Sequence, residues 1–457
     1  MTARHPVYRG RVNRPPPPRP APAPAPPARG AAGELRAWAD ALVAVAAGCV
    51  AMFAVAAAGL WAAGARALPA GAFPAVLAAT LVAAVGGTLE LSGDVGFLGG
   101  SAATLEVVPL SVTVAGALAT GVVFLLPLRH RAVAGGGELL ARAARTAVVW
   151  LVALAFIAGA ARFSFRVRVG QDFLDELGAA LDITPTVGFH APLGSALGHG
   201  ALWLLGVLVV AVAVSRGTPL PRRLLRLQGA LRPPAFAMVV VLLGYVVLGL
   251  VIGLVTAFTH DDPSRTAAIL LLGLPNLAWM AFGVGLGGAW EGRVPGDIGL
   301  PVPHALAAVL RGNGRGTSTV DLAALSEQDG RAWVLAAVAG LALLTAGLLT
   351  AFRSPAGTPA WRVAVRLGVV AALTLLVVGL ATEVSARYGL AVLGLGDLTD
   401  FGGEVRLWAH LGRLVGLGLL WGLVAGFTGG LCAKAAAGRR LGRAEAADGQ
   451  GPGAGGW

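Results

Sequence analysis

Long apolar runs separated by short polar connections dominate this chain. Ten runs of about 18 residues or more carry almost no charge, and that length lets an α-helix cross roughly 30 Å of hydrocarbon. Their approximate bounds are 40–64, 70–89, 107–128, 144–161, 197–215, 234–259, 267–290, 332–352, 365–382 and 411–433. The pattern predicts an all-α, polytopic transmembrane helix bundle. A large soluble core is excluded, because it would not need so many uncharged runs of this length.

The composition agrees with a membrane protein and makes the lipid bilayer its first predicted partner. The chain is 56% hydrophobic and 13% charged, whereas soluble domains carry about 25% charged residues. The net charge of +12 raises the question of nucleic acid. Because the arginines lie in short connections and form no stripe with aromatic residues, we predict no nucleic-acid partner.

The positions of the basic residues predict how the chain is threaded. They concentrate in the tail up to residue 38 and in the stretches 129–145, 216–232, 353–366 and 434–443. The positive-inside rule places these stretches, and both termini, on the cytoplasmic side of the cell (plasma) membrane. Ten simple crossings cannot satisfy this pattern. It is satisfied if segments 70–89 and 267–290 are re-entrant or broken; the alternative is that loop charge decides little and all ten cross.

One acidic, glycine-rich motif is written twice, about 200 residues apart, which is typical of an internal repeat. The first copy contains Pro74, Gly86-Gly87, Glu90 and Asp94, and the second contains Pro275, Gly287-Gly288, Glu291 and Asp297. A second shared motif, aliphatic-Gly-x-Gly-x-Leu-Trp, lies at 197–203 and 415–421. Small residues at this spacing let helices pack closely in lipid.

These motifs divide the chain into two five-segment repeats. We assign repeat 1 to residues 39–233 and repeat 2 to 234–433, with disordered tails at 1–38 and 434–457. Because both halves carry the same charge pattern, the repeats should be parallel and related by an axis along the membrane normal. Three amphipathic pieces in the connections, around 171–181, 304–311 and 321–328, are either an outer cap or ordinary linkers.

The repeated acids are the best candidates for an ion- or substrate-binding site. Glu90, Asp94, Glu291 and Asp297 each follow glycines, which let the backbone turn sharply and expose its carbonyl groups. Carboxylates in such a place can bind a cation or relay protons. The alternative is that they mark the outer interface and cap helix ends. Asn276, beside Pro275, either lines a pocket or satisfies a carbonyl group freed by the proline.

Other chemistry is not indicated. The seven histidines show no ligand spacing, and Cys49 and Cys432 lie in apolar segments, so we predict no metal and no cofactor. No phosphate-binding loop, nucleophile elbow or zinc-protease motif is present, and we predict that the protein is not an enzyme. The Pro- and Arg-rich residues 1–30 either tether a protein partner or lipid headgroups, or form a solvated tail.

Several stretches resemble the streptophobe family of actinobacterial multi-pass membrane proteins. They are Ala72-Phe73-Pro74-Ala75-Val76-Leu77-Ala78-Ala79-Thr80, 86–94, Pro127-Leu128-Arg129-His130-Arg131, Trp290-Glu291-Gly292-Arg293-Val294, 388–394 and Trp421-Gly422-Leu423-Val424-Ala425-Gly426-Phe427. The resemblance covers roughly residues 35–433. It implies a multi-pass membrane protein and carries over no activity and no site residue.

Two functions therefore stand after the sequence alone. The first is a transporter- or channel-like protein with a site between the two repeats. The second is a non-catalytic membrane interaction or scaffold protein, whose repeats serve packing. The depth of Glu90 and Glu291 distinguishes them: burial between the halves favours the first, and a place in the outer headgroup layer favours the second.

Overall fold

A computed structural model describes residues 31–94, 100–129, 136–166, 186–215, 222–259, 262–293, 318–355, 357–391 and 397–448. Within these ranges the chain forms eleven α-helices, nine of them long and apolar enough to cross a membrane. They are α1 Ala31–Ala62, α2 Ala72–Ala84, α3 Leu110–Arg129, α4 Gly136–Ala160, α5 Leu193–Val214, α6 Arg222–Thr259, α7 Pro263–Gly285, α8 Leu322–Gln328, α9 Val334–Arg353, α10 Ala360–Ala381 and α11 Leu411–Asp448. The predicted polytopic helix bundle is confirmed.

Exposed aromatic side chains lie near both ends of α1 and of α9. Trp38 and Trp61 are both exposed on α1, and the helical rise places them about 34 Å apart. Trp333 and Phe352 are exposed at the two ends of α9, about 28 Å apart by the same rise. Tryptophan and other aromatic residues concentrate where hydrocarbon meets water. The two separations agree with the thickness of a bilayer.

The connections at one end of the bundle form an antiparallel β-sheet that the sequence analysis did not predict. Its strands are β1 Leu89–Asp94, β2 Gly100–Val107, β3 Arg162–Arg166, β4 Thr186–His190, β5 Trp290–Arg293, β6 Ser318–Val320, β7 Val384–Ala391 and β8 Asp397–Ala409. The order is β3-β4-β1-β2-β7-β8-β5-β6. Each half of the chain supplies four neighbouring strands, and β2 joins the halves by pairing with β7.

This sheet limits how often the chain crosses the membrane. Strands β4 and β5 belong to one sheet, yet α5, α6 and α7 lie between them in the chain. An odd number of crossings would put the two strands on opposite faces of the bilayer, where they could not share a sheet. One of the three helices therefore does not cross.

The contacts of α7 identify it as the helix that does not cross. The Leu270 carbonyl accepts a 2.9 Å hydrogen bond from Ser111, and Asn276 bonds to the backbone at residues 108 and 110. Gly285 lies against the Leu335 backbone. All three points thus meet the start of α3 or the first turn of α9. Helix α3 directly follows the β1–β2 hairpin, and α9 follows the β5–β6 hairpin after the short α8. The predicted re-entrant segment 267–290 agrees with this topology.

Helix α2 also stays on the sheet side. It has 13 residues, about 20 Å of helix, which is shorter than the hydrocarbon layer. Before it, Gly71 lies against the Phe163 ring of β3; after it, the Thr88 amide donates to Ser195 at the start of α5. Both ends therefore lie near the sheet. Eight helices remain as crossings: α1, α3, α4, α5, α6, α9, α10 and α11.

The start of α1 lies on the face opposite the sheet, which we call the far side. Arg142 and Arg145, near the start of α4, form ion pairs of 3.1 and 2.8 Å with Asp40 and Glu34 of α1. Because α4 runs into β3 at its other end, its start is remote from the sheet. With eight crossings, both the start of α1 and the end of α11 lie on the far side.

Apart from the short α8 of the second half, the two halves share one order of elements: helix, helix, hairpin, helix, helix, hairpin, helix. Buried apolar side chains form two clusters, one from Ala44 to Leu208 and one from Ala237 to Ala425. The halves are not identical, since α7 is much longer than α2 and packs against α1 and α3 of the first half.

Several predicted bounds differ from the observed ones. Helix α6 runs through Pro233 and Pro234, so the repeat boundary at 233/234 falls inside it. Helix α11 continues to Asp448, past the predicted start of a disordered tail at 434, and α1 begins at Ala31 instead of 39. The piece at 321–328 contains α8, whereas 171–181, 304–311 and residues 1–30 lie outside the described residues.

Candidate functional site

The repeated Gly-Gly pair ends a helix and starts a strand in both halves. Gly86 has φ +90° and Gly287 has φ +94°, a left-handed conformation that favours glycine. The following glycine must also be small: a Cβ on Gly87 would lie 2.5 Å from Val82, and one on Gly288 2.7 Å from the Gly283 carbonyl oxygen. The predicted sharp turn is therefore present twice. It delivers Glu90 to β1 and Glu291 to β5.

Each repeated glutamate meets a histidine. Glu90 Oε2 lies 3.2 Å from His190 Nε2, its direct cross-strand neighbour on β4. Glu291 Oε1 lies 2.8 Å from His410 Nε2, directly before α11. The cross-strand neighbour of Glu291 is Trp408, not a histidine. The two histidines thus come from different positions of the repeat and produce the same carboxylate–imidazole pair.

The pairs lie at the sheet and not in the middle of the bilayer. Glu90 and His190 are 47% and 53% exposed, and Glu291 and His410 are 28% and 42% exposed. All four residues belong to strands or to the residue before a helix. This position matches the outer-interface alternative of the sequence analysis. It does not match burial between the halves.

The two pairs are separate sites. In the sheet, β2, β7 and β8 stand between β1 and β5. With strands about 4.8 Å apart, the separation along the sheet is about 19 Å. Exposed charges that far apart are largely screened at physiological salt. Glu90 and Glu291 therefore do not share one cation.

The first half adds polar groups that the second half lacks. The Thr88 hydroxyl lies 3.0 Å from Ser195 Oγ, and Ser195 Oγ lies 3.3 Å from His199 Nδ1. At the matching places the second half has Ala289 and Leu417, which faces Gly287 as His199 faces Gly86. His199 Nδ1 also lies 3.0 Å from the Ser195 carbonyl oxygen. In the tautomer in which Nδ1 donates to that oxygen, it cannot take a proton from the hydroxyl group.

Asn276 joins the two halves through hydrogen bonds to the backbone. Its Nδ2 donates to the Val108 carbonyl oxygen at 2.9 Å, and its Oδ1 accepts from the Leu110 amide at 3.1 Å. Both partners immediately precede or begin α3. The side chain therefore satisfies backbone groups of the other half of the chain. Ala75, its counterpart in repeat 1, has no polar side-chain atom and cannot form such a bridge.

The remaining candidates have structural places or lie outside the described residues. Pro74 is in the first turn of α2, where a helix needs no amide donor. Pro275 is buried in the interior of α7. Asp94 ends β1 opposite Gly100, and Asp297 lies outside the described residues. The described residues hold no group of three metal-ligating side chains.

Comparison with known proteins finds no match to a family model, to a curated protein or to a solved structure. The site must therefore be interpreted from its own geometry.

Proposed function

We propose that this multi-pass membrane protein is non-catalytic and presents its eight-stranded sheet as a binding surface on the outer face of the cell membrane. The observation that carries the proposal is that both halves build one continuous sheet, with a half-exposed Glu–His pair at each Gly-Gly turn. A sheet shared by two repeats is a surface that neither repeat makes alone. This arrangement favours the interaction protein over the transporter.

The orientation follows from the charges. The basic stretches at 353–366 and 434–443 border the far-side ends of α9, α10 and α11. Arg353 at the end of α9 lies over the Phe236 ring, 3.7 Å from its centroid, an arrangement in which the cation is held beside the interfacial aromatic residue. Short arginine-rich connections stay in the cytoplasm. We therefore assign the sheet to the outside and both termini to the cytoplasm.

The ligand class follows from the pairs. Each offers a carboxylate oxygen and an imidazole nitrogen at the surface, so a cation or a cationic group of a partner suits them better than an anion. Two ligand atoms per pair are few for a tightly held metal ion. A partner that contacts both pairs must span the roughly 19 Å between β1 and β5.

A transporter- or channel-like role is the second candidate, and one observation favours it. Both halves contain a helix that does not cross, α2 and α7, in the same place in the repeat. Transporters build sites from such interrupted segments. Two contacts argue against it, because they fill the space where a site between the halves would lie. Asn276 bonds through its side-chain oxygen and nitrogen to the backbone at residues 110 and 108. Leu272 of α7 packs against Gly59 of α1.

The test compares binding with flux on the full-length protein in lipid. In nanodiscs, Ca²⁺, Zn²⁺ and spermidine are added separately while the melting temperature is measured. We expect at least one cation to raise it in the wild type and less so in Glu90→Gln and Glu291→Gln. In proteoliposomes the same cation should cross no faster than through protein-free vesicles. Flux that depends on either glutamate would support the transporter instead.

The streptophobe resemblance is also kept as a proposal. The first Gly-Gly turn and most of α2 fall within the stretches that carry it, and so does Glu291 after the second turn.

A further inference from the structure

Arg142 is the one charged side chain that is buried in the described part of the chain, with 9% of its surface exposed. It lies in the second turn of α4, on the far side and remote from the Glu–His pairs. Its Nη1 donates to Asp40 Oδ2 at 3.1 Å, and its guanidinium carbon lies 5.2 Å from the centroid of the Phe124 ring. Ionisable groups in a membrane-spanning segment are expensive and usually functional.

Two of its donors find no acceptor among the described residues. These are Nε and Nη2, and both are buried. These two nitrogens form one edge of the guanidinium group, and their N–H bonds point the same way. That edge matches two oxygens of a carboxylate or a phosphate. Since buried donors left unpaired are strongly unfavourable, the structure presents a two-pronged donor that calls for an oxyanion.

The position of Arg142 in the membrane selects the oxyanion. Its partner Asp40 lies two residues after Trp38, whose exposed ring marks the far-side interface. At that depth the abundant oxyanion is the phosphate of a phospholipid headgroup. The neighbouring Arg145 is already engaged with Glu34 at 2.8 Å and has no buried, unpaired nitrogen among the described atoms.

We propose that Arg142 binds the phosphate of a phospholipid in the far leaflet through Nε and Nη2. Asp40 holds Nη1 and not this edge; because Asp40 is 36% exposed, an outward shift of the Arg142–Asp40 pair brings the Nε–Nη2 edge to the surface. The bound phosphate then adds to a cluster in which Arg142 of α4 contacts Asp40 of α1 and Phe124 of α3. Inorganic phosphate has the same chemistry, so the experiment must separate the two sources.

The test measures lipid retained by the full-length protein. The protein is purified in a nonionic detergent, and bound phospholipid is counted by native mass spectrometry. Wild type and the control Arg145→Lys should each retain one tightly bound phospholipid. Arg142→Lys keeps the charge but loses the two-pronged edge, and we expect its retention to fall at least about tenfold, as for the loss of one charge-assisted hydrogen bond. Equal retention in Arg142→Lys would overturn the proposal.

Two further measurements keep the proposal falsifiable if Arg142→Lys folds poorly. Asp40→Asn removes the competing carboxylate and should increase the rise in melting temperature caused by added phosphatidylglycerol. A fall in that rise would show that Arg142 serves only its ion pair, and would sink the proposal. Inorganic phosphate at millimolar concentration should not raise the melting temperature; if it does so as strongly as the lipid, the ligand is a free anion and the lipid assignment is wrong.

Discussion

At the scale of single residues, the two Glu–His pairs show how one repeat can reach the same chemistry from different positions. His190 lies opposite Glu90 on the neighbouring strand β4, whereas His410 contacts Glu291 from the residue before α11. The Gly-Gly turn is common to both halves and sets where the chain leaves the helix and enters the strand that carries the glutamate. The glutamate therefore has the same position in both halves, whereas the position of the histidine differs.

This separation predicts additive mutants. Glu90→Gln and Glu291→Gln each keep the side-chain volume and remove one ion-pair partner at a half-exposed site. Exposed pairs contribute roughly 0–1 kcal/mol, so each variant should unfold within about 1 kcal/mol of wild type. Because the sites lie about 19 Å apart along the sheet, the double mutant should equal the sum of the singles. Thermal unfolding of all four proteins measures this, and a coupling well above 0.5 kcal/mol would contradict two separate sites.

Asn276 should contribute to the stability of the protein, because its side chain links the two halves. Asn276→Ala removes both hydrogen bonds to residues 108 and 110 and leaves the partly buried Leu110 amide and Val108 carbonyl group unpaired. Such groups cost about 1–3 kcal/mol, so we expect a clear fall in the unfolding temperature. Asn276→Asp is the comparison, since it keeps the acceptor for the Leu110 amide, loses the donor and adds a negative charge beside the Val108 carbonyl oxygen. An Ala variant as stable as wild type would mean that the bridge contributes nothing.

At the scale of elements, glycines in α11 bring two helices into backbone contact. Gly418, Gly422, Gly426 and Gly430 recur every four residues. A Cβ on Gly422 would lie 2.7 Å from the Gly368 Cα, and one on Gly426 2.7 Å from the Ala364 Cα, both in α10. The predicted packing role of the Gly-x-Gly motif holds for Gly418 and Gly200. It does not hold for Gly416 and Gly198, whose surroundings are open within 4 Å.

The contrast gives a matched pair of variants. Gly422→Ala should force α10 and α11 apart and destabilise the protein by about 1–3 kcal/mol, the usual cost of overpacking. Gly416→Ala, in the same helix, should be close to neutral because nothing lies within reach of its new methyl group. Unfolding in detergent, followed by loss of the monodisperse gel-filtration peak with temperature, compares the two. Equal effects would show that the close approach at Gly422 is not rigid.

The elements also show what sequence could and could not predict. Uncharged runs indicated the helices in the membrane, because moving charge out of water is unfavourable. The arginine-rich connections indicated which two helices do not cross, because these connections stay on one side. The sheet was missed because seven of its eight strands have three to eight residues and the strands lie in stretches with the composition of linkers. In β2, side chains 102–107 do alternate between more and less exposed, a period of two that six residues reveal only weakly. The role of His190 was missed because the sheet was missed: its partner Glu90 lies 100 positions away in the chain and contacts it only through strand pairing.

At the scale of the whole molecule, one sheet on one face requires an even number of crossings between any two of its hairpins. Because of this requirement, α7 does not cross although it is long enough to span: the chain enters and leaves α7 on the same face of the membrane. The requirement also makes the fold testable by labelling alone. Residue 264 lies in the first turn of α7, residue 329 follows the β5–β6 hairpin, and both are exposed.

We therefore expect single cysteines at Ser264 and Asp329 to be labelled from the same side of the membrane. The background is Cys49→Ala with Cys432→Ser, so that each variant carries one thiol. A membrane-impermeant maleimide on intact cells should modify both positions, because the sheet side is assigned to the outside. A cysteine at Gly438, exposed in α11 on the far side, should react only after the membrane is opened. If all nine long helices crossed, residues 264 and 329 would react from opposite sides, and the shared sheet would be incompatible with the bilayer.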